Sequence, residues 1–184
     1  YSNAMGKLIV ATLETRDDGR RPELTTTSEI SLPGMSIVQS VAFNESGDQL
    51  ACGMVDGSVV HMDLSASGSP DPRVLYSHAQ KRVWNLAFVP GRDWLISSTA
   101  DKDLKVWDVN KQESINELQF DENIKEFIVI NAGLLIFPLS DGRVMGWNPG
   151  SNQEPEMLYA HQDRIPIQSI AYNQERDLLV TSSL

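Results

Sequence analysis

Four groups of residues in this chain have side chains capable of chemistry. His78, Ser97 and Asp101 together supply the base, nucleophile and carboxylate types of a Ser-His-Asp acyl-transfer site. His61, His78 and His161 are the three histidines, the side chain that most often ligates transition metals. Cys52 is the single cysteine, so no disulfide within the chain and no cysteine-based metal site follow from it. Arg82, Trp84 and Arg164 are of the types that anchor protein interfaces. Against the acyl-transfer reading, no Gly-x-Ser-x-Gly strand-to-helix elbow surrounds a serine. Nor is there a Gly-x-x-x-x-Gly-Lys-Ser/Thr loop to hold a nucleotide phosphate.

Composition narrows the partners. The chain has 184 residues, 41% of them hydrophobic and 22% charged, which is enough apolar material for a packed core. Its 25 acidic and 15 basic residues leave a formal net charge of −10. Nucleic acid and anionic membranes are bound by clustered Lys and Arg. Here the bases are scattered, with Lys81-Arg82 and Arg20-Arg21 the densest groupings, so neither partner is expected. No apolar run approaches the roughly 18 residues that a membrane-crossing helix requires. Residues 1–4, Tyr-Ser-Asn-Ala ahead of Met5, read as a tag-cleavage scar. The lone cysteine fits a reducing compartment, and a cytoplasmic location is expected.

The elements that must position these side chains are short strands. Runs of four to eight apolar and β-branched residues are broken by Gly, Asp, Asn, Pro and Ser, the pattern of an all-β fold. The runs recur. Phe43 closes Val38-Gln39-Ser40-Val41-Ala42-Phe43, and Phe88, 45 residues on, closes Val83-Trp84-Asn85-Leu86-Ala87-Phe88. The pairs Asp56/Asp101 and Asp63/Asp108 have the same offset of 45, while Asp101/Asp141 and Trp107/Trp147 are 40 apart. Tyr172 follows Phe88 by 84, two repeats of 42. A period of roughly 40–45 with four strands in each repeat is the sequence signature of a β-propeller. In the second unit the strands are expected at 83–89, 94–99, 104–109 and 114–120. Asp56-Gly57 and Asp141-Gly142 mark tight turns, since glycine accepts the positive φ such hairpins need. On this register the three histidines fall on different blades, which argues against a shared metal.

The stretch from His78 to Asp108 resembles a WD40 repeat almost position for position. It has Ser77-His78 at the start, Val83, Leu86 and Phe88 in the first strand, Ser97 in the second, Asp101 in the turn and Trp107-Asp108 closing the third. The resemblance implies a hydrogen-bonded staple of His78, Ser97, Asp101 and Trp107, with the aspartate accepting from the imidazole and the serine reaching the indole N–H. It therefore implies a structural task for the residues that could otherwise be read as a catalytic triad. The other units depart from the pattern. In the first, Pro33, Cys52 and Met62 stand for His, Ser and Trp, and Cys52 is read as a small core residue. In the third, Phe137 replaces the serine. The fourth has His161, with Thr181 at the serine position.

The expected architecture is an all-β, WD40-type β-propeller of four-stranded antiparallel blades, about four to the chain. Residues 5–32 would give strands three and four of a split blade, 33–77 and 78–120 two blades, 121–160 a degenerate blade, and 161–184 strands one and two of a split blade. Met5 takes the turn-aspartate position ahead of the first strand. The segment could belong to a longer propeller, close on itself, or close an eight-bladed ring with a second copy by two-fold symmetry. The last is favoured, because open sheet edges invite pairing.

The resemblance implies a non-catalytic scaffold that binds a protein or peptide partner and forms part of a larger protein, without cofactor or metal. Arg82, Trp84 and Arg164, flanking the first strands of blades, are the expected partner-binding residues. Two alternatives stand beside this reading. One is the sensor end of a bacterial signalling ATPase, whose nucleotide site would lie outside this chain. The other is a metal-dependent propeller enzyme, for which no repeated inward-facing ligands are seen.

Overall fold

The computed structural model describes residues 7–14, 23–34, 36–65, 70–130, 133–151, 153–162 and 164–183. The tag scar, Met5, the Arg20-Arg21 pair and Leu184 lie outside the described residues.

Among the described residues the sheets are all antiparallel. Three four-stranded sheets follow one another along the chain. The first comprises β3 (Val38–Phe43), β4 (Gln49–Met54), β5 (Ser58–Asp63) and β6 (Arg73–Ser77). The second comprises β7 (Val83–Phe88), β8 (Trp94–Thr99), β9 (Asp103–Asp108) and β10 (Glu113–Gln119). The third comprises β11 (Ile128–Ile130), β12 (Leu134–Pro138), β13 (Arg143–Trp147) and β14 (Glu156–Ala160). Two-stranded sheets flank them: β1 (Lys7–Glu14) with β2 (Glu23–Ser31), and β15 (Ile167–Asn173) with β16 (Leu178–Ser183).

Each four-stranded sheet is a meander in which every strand pairs with its sequence neighbour, as expected where turns are too short for crossovers. Turn chemistry sets the corners. Gly57 and Gly142 take φ of 88° and 84° between second and third strands, and Lys102 takes the same left-handed conformation in the second sheet. A Cβ at Gly57 would meet the backbone of Lys81 at 2.8 Å, so glycine there also lets the next blade's entry segment approach.

The sheets stack face to face like blades. The clusters that fill the spaces between them mix residues of adjacent sheets: Ala51 and Val59 with Leu86 and Phe88, then Ile96 and Val106 with Leu135 and Phe137. Near the ends of β3, β7, β11 and β15, Phe43, Phe88, Ile130 and Tyr172 line one cavity. These four strands are therefore the inner strands around a common axis. Val129, which also lines this cavity, is the third repeat's counterpart of the aromatic landmarks, since it pairs with Leu135 as Phe88 pairs with Leu95; it is not singled out in the sequence because it is not aromatic.

Candidate functional site

The polar side chains expected to act together meet at the junction between β6 and the second blade. His78 follows β6, and its backbone N–H bonds the Gly57 carbonyl at 2.9 Å, which turns its ring inward. Its Nε2 lies 2.8 Å from the Ser97 hydroxyl on β8, and Ser97 Oγ also lies 2.9 Å from the Tyr76 hydroxyl. Its Nδ1 lies 3.4 Å from an oxygen of Asp103, whose other oxygen accepts from Thr99. Tyr76, His78, Ser97 and Thr99 are all buried.

Two members expected from sequence are elsewhere. Asp101 is not in the network. It sits exposed in the turn, where it accepts from Lys81 Nζ at 2.8 Å. Asp103, two residues on, is the first residue of β9, where the pleat directs its side chain back toward His78. Trp107 Nε1 is buried without a hydrogen-bond partner, and Ser97 does not reach it. The register gives the reason. Ser97 lies opposite Lys105, whereas Trp107 lies opposite Leu95, two residues along the strand. Tyr76 fills the gap, its ring 4.7 Å from Trp107 and covered on another side by Lys105 Nζ at 5.5 Å. Tyr76 is thus a member that sequence reasoning missed. The repeated Leu-Tyr-x-His of 75–78 and 158–161 is the signal that could have found it.

Burial alone would raise the Asp103 carboxyl, but the hydrogen bonds from His78 and Thr99 outweigh it and hold it below the usual carboxylate range. Burial pushes the Tyr76 hydroxyl well up, so it stays neutral. Every polar member has a partner inside the protein, and Ser97 is fully enclosed. The arrangement fixes two blades together. A nucleophile facing substrate would need the opposite exposure.

The same position recurs in the other junctions with different chemistry. Register places Phe120 and Phe137 where His78 and Ser97 stand, their rings 5.2 Å apart and edge to face. It places Leu32, and not Pro33, opposite Cys52, because Lys7 pairs with Ser31 as Asp103 pairs with Gln119. Leu32 and Cys52 share one buried cluster, and burial pushes the Cys52 thiol up to about 11. His161 Nε2 bonds Thr181 Oγ1 at 2.9 Å, and its Nδ1 lies 3.3 Å from Ser183 Oγ. His61 lies in neither staple. It is buried on β5, with Nε2 3.4 Å from Gln49 Oε1 and Nδ1 unpartnered. Among the described residues no three His, Cys, Asp or Glu side chains gather where a metal could sit.

Arg82 and Arg164 occupy the connections into inner strands, and Trp84 is the second residue of β7. Arg82 is exposed, its guanidinium carbon 5.2 Å from the centre of the half-buried Trp84 ring. Trp84 Nε1 is enclosed and unpartnered. Arg164 is exposed with φ of 50°. It enters β15, whereas Arg82 enters β7, so a whole blade separates the pair and they do not form one cluster.

Radially ordered four-stranded meanders with inner strands around one axis define an antiparallel β-propeller. The family model for the WD domain, G-beta repeat, matches residues 26–63 and 69–108, so the chain carries two WD40 repeats. The second match contains the intact unit. The first spans the unit with Leu32, Cys52 and Met62 in place of the polar residues. No curated protein matches the sequence. Among solved structures, the C-terminal WD40 domain of Sif2 is similar at 16% identity with a TM-score of 0.75, covering 97% of this chain and 49% of that one. The β-propeller domain of Cps50 (Swd1) from Myceliophteria thermophila is similar at 22% identity with a TM-score of 0.67, covering 83% and 51%. The computationally designed Ika4 protein is similar at 17% identity with a TM-score of 0.60, covering 84% and 96%. The chain thus spans about half the length of the Sif2 and Cps50 domains.

Proposed function

We propose that this chain is a non-catalytic scaffold, cytoplasmic and part of a larger protein, whose inner-strand entry face docks a segment of another protein. The observation that carries the reading is the Arg82–Trp84 pair. An exposed guanidinium lies over an indole whose buried N–H has no partner among the described residues. That pair offers an incoming peptide a cation and an aromatic surface at one point. The connections from outer to next inner strand all emerge on this face, which brings Arg164 to the same side. WD40 domains commonly bind protein partners, and the enclosed staple at His78 and Ser97 supports a structural rather than a chemical task for those residues.

Selection of a displayed peptide library on the purified chain tests the proposal. Acidic or aromatic peptides should be enriched on the wild type and lost with Arg82→Glu, while Lys111→Glu, in a connection on the opposite face, should retain them. Failure to enrich any peptide above a blank support, or equal enrichment by Arg82→Glu, would sink it.

A further inference from the structure

We infer that the axial cavity on the face opposite Arg82 and Trp84 is a second docking site, which takes a lysine or arginine side chain of a partner protein, its stem among the rings and its cation at Glu45. The site is separate from the entry face, and its failure would leave the peptide reading there untouched.

The cavity is built by repetition. Phe43, Phe88, Val129 and Tyr172 stand at one level of the four inner strands, since each pairs with a leucine at the same place in the next strand: Leu50, Leu95, Leu135 and Leu179. The turns after three of these strands close the sides with Asn44, Glu45, Pro90 and Gln174, around a volume of about 360 Å³. The floor is therefore aromatic and aliphatic. Two of the polar groups at its edge are already engaged in the fold. Asn44 donates to Ser46 and Asp48 and accepts from the Gln49 N–H. The Tyr172 hydroxyl donates to Asp177 at 2.5 Å, so what Tyr172 offers the cavity is its ring.

Glu45 selects the ligand. Among the described residues it is the one charged side chain that lines the cavity. Its Oε2 accepts from the Gly91 N–H at 3.2 Å, which ties the carboxylate to the rim and leaves Oε1 to accept from a ligand. The turns after the inner strands carry Glu45, Asp48, Asp93, Glu175 and Asp177 against Arg92 and Arg176. Neither arginine lines the cavity, and Arg92 lies over Trp94, its guanidinium carbon 4.3 Å from the ring centre. The site thus sets a negative rim over an apolar, aromatic floor. A cation placed there gains from the ring faces and from the carboxylate together. A neutral apolar side chain would take water from Glu45 without replacing it, and an acidic one would be repelled. Lysine and arginine join a long apolar stem to a cation, which fits floor and rim at once. On the entry face the exposed charge over the aromatic ring is Arg82 itself, so the two faces select opposite charges.

Panning a displayed random peptide library on the purified Arg82→Glu chain tests this site with the entry face disabled. Enriched peptides should carry a lysine or arginine. Replacing that residue by norleucine, which keeps the stem and removes the charge, should weaken binding about tenfold, and Glu45→Gln in the chain should do the same. Glu113→Gln, an equal change of charge at the outer edge of the same face, should leave affinity within about twofold. Phe43→Ser should also weaken binding while keeping the circular dichroism of the parent chain, because Phe43 is 53% exposed. If Phe43→Ser fails to fold, Glu45→Gln decides alone. No enrichment of basic peptides, equal losses from Glu45→Gln and Glu113→Gln, or undiminished binding of the norleucine peptide would each overturn the site.

Discussion

The seam between the first and second complete blades is closed by Tyr76, His78, Ser97 and Asp103, and the next seam by Phe120 and Phe137 at equivalent positions. Both members of each pair change together: Leu32 with Cys52, His78 with Ser97, Phe120 with Phe137, His161 with Thr181. A buried hydroxyl without a partner costs about 1–3 kcal/mol, so a histidine opposite a phenylalanine, or a serine opposite a leucine, is penalised. Polar and apolar staples are alternative solutions to one packing problem, and the polar one is satisfied only when all its members are present.

The largest effect should come from emptying the apolar seam. Phe137→Ala removes a fully buried ring and should lower stability by about 3–5 kcal/mol, measured by urea unfolding. Mismatching should cost somewhat less. Phe120→His alone places an imidazole against Phe137 and should cost about 2–3 kcal/mol. Adding Phe137→Ser to it should cost less than the two single changes summed, by about 1 kcal/mol or more, and strict additivity would refute the matched-pair account. In the polar seam, Asp103→Asn should cost about 1 kcal/mol, while Asp101→Asn, in the exposed turn, should stay within about 0.5 kcal/mol. The reverse order would restore Asp101 to the staple.

The smallest effects are in pH. The Asp103 carboxyl is held below its ordinary value in the fold, so its contribution is complete above about pH 4 and is lost as pH falls through the folded value. Asp103→Asn should flatten that acid limb. His61 is also lowered, by burial first and then by Arg73. The stability linked to its neutral form is therefore complete above about pH 6.5 and declines on acidification. His61→Gln should remove that slope below about pH 6.5 without changing either staple.

Much of the fold was legible in the chain. Strand pairs of period two, Asp-Gly corners and landmarks every 40–45 residues required repeated antiparallel meanders, because local turns and alternation fix such sheets without distant information. The staple was legible only in part. His78 and Ser97 stood at recognisable positions, but Asp101 and Asp103 are both plausible from spacing alone. The choice rests on which residue the pleat turns inward once Lys102 takes the corner conformation. Tyr76 was hidden for a related reason. It belongs to the outer strand of one blade and reaches the Ser97 hydroxyl of the next, a contact no pattern within a single repeat contains. The sequence by itself determined the strands, their turns and their recurrence, since these depend on neighbours along the chain. Only the tertiary structure decided which side chains meet across a seam, and left Val41, Phe43 and Tyr159 uncovered, since these depend on how one blade is stacked against another.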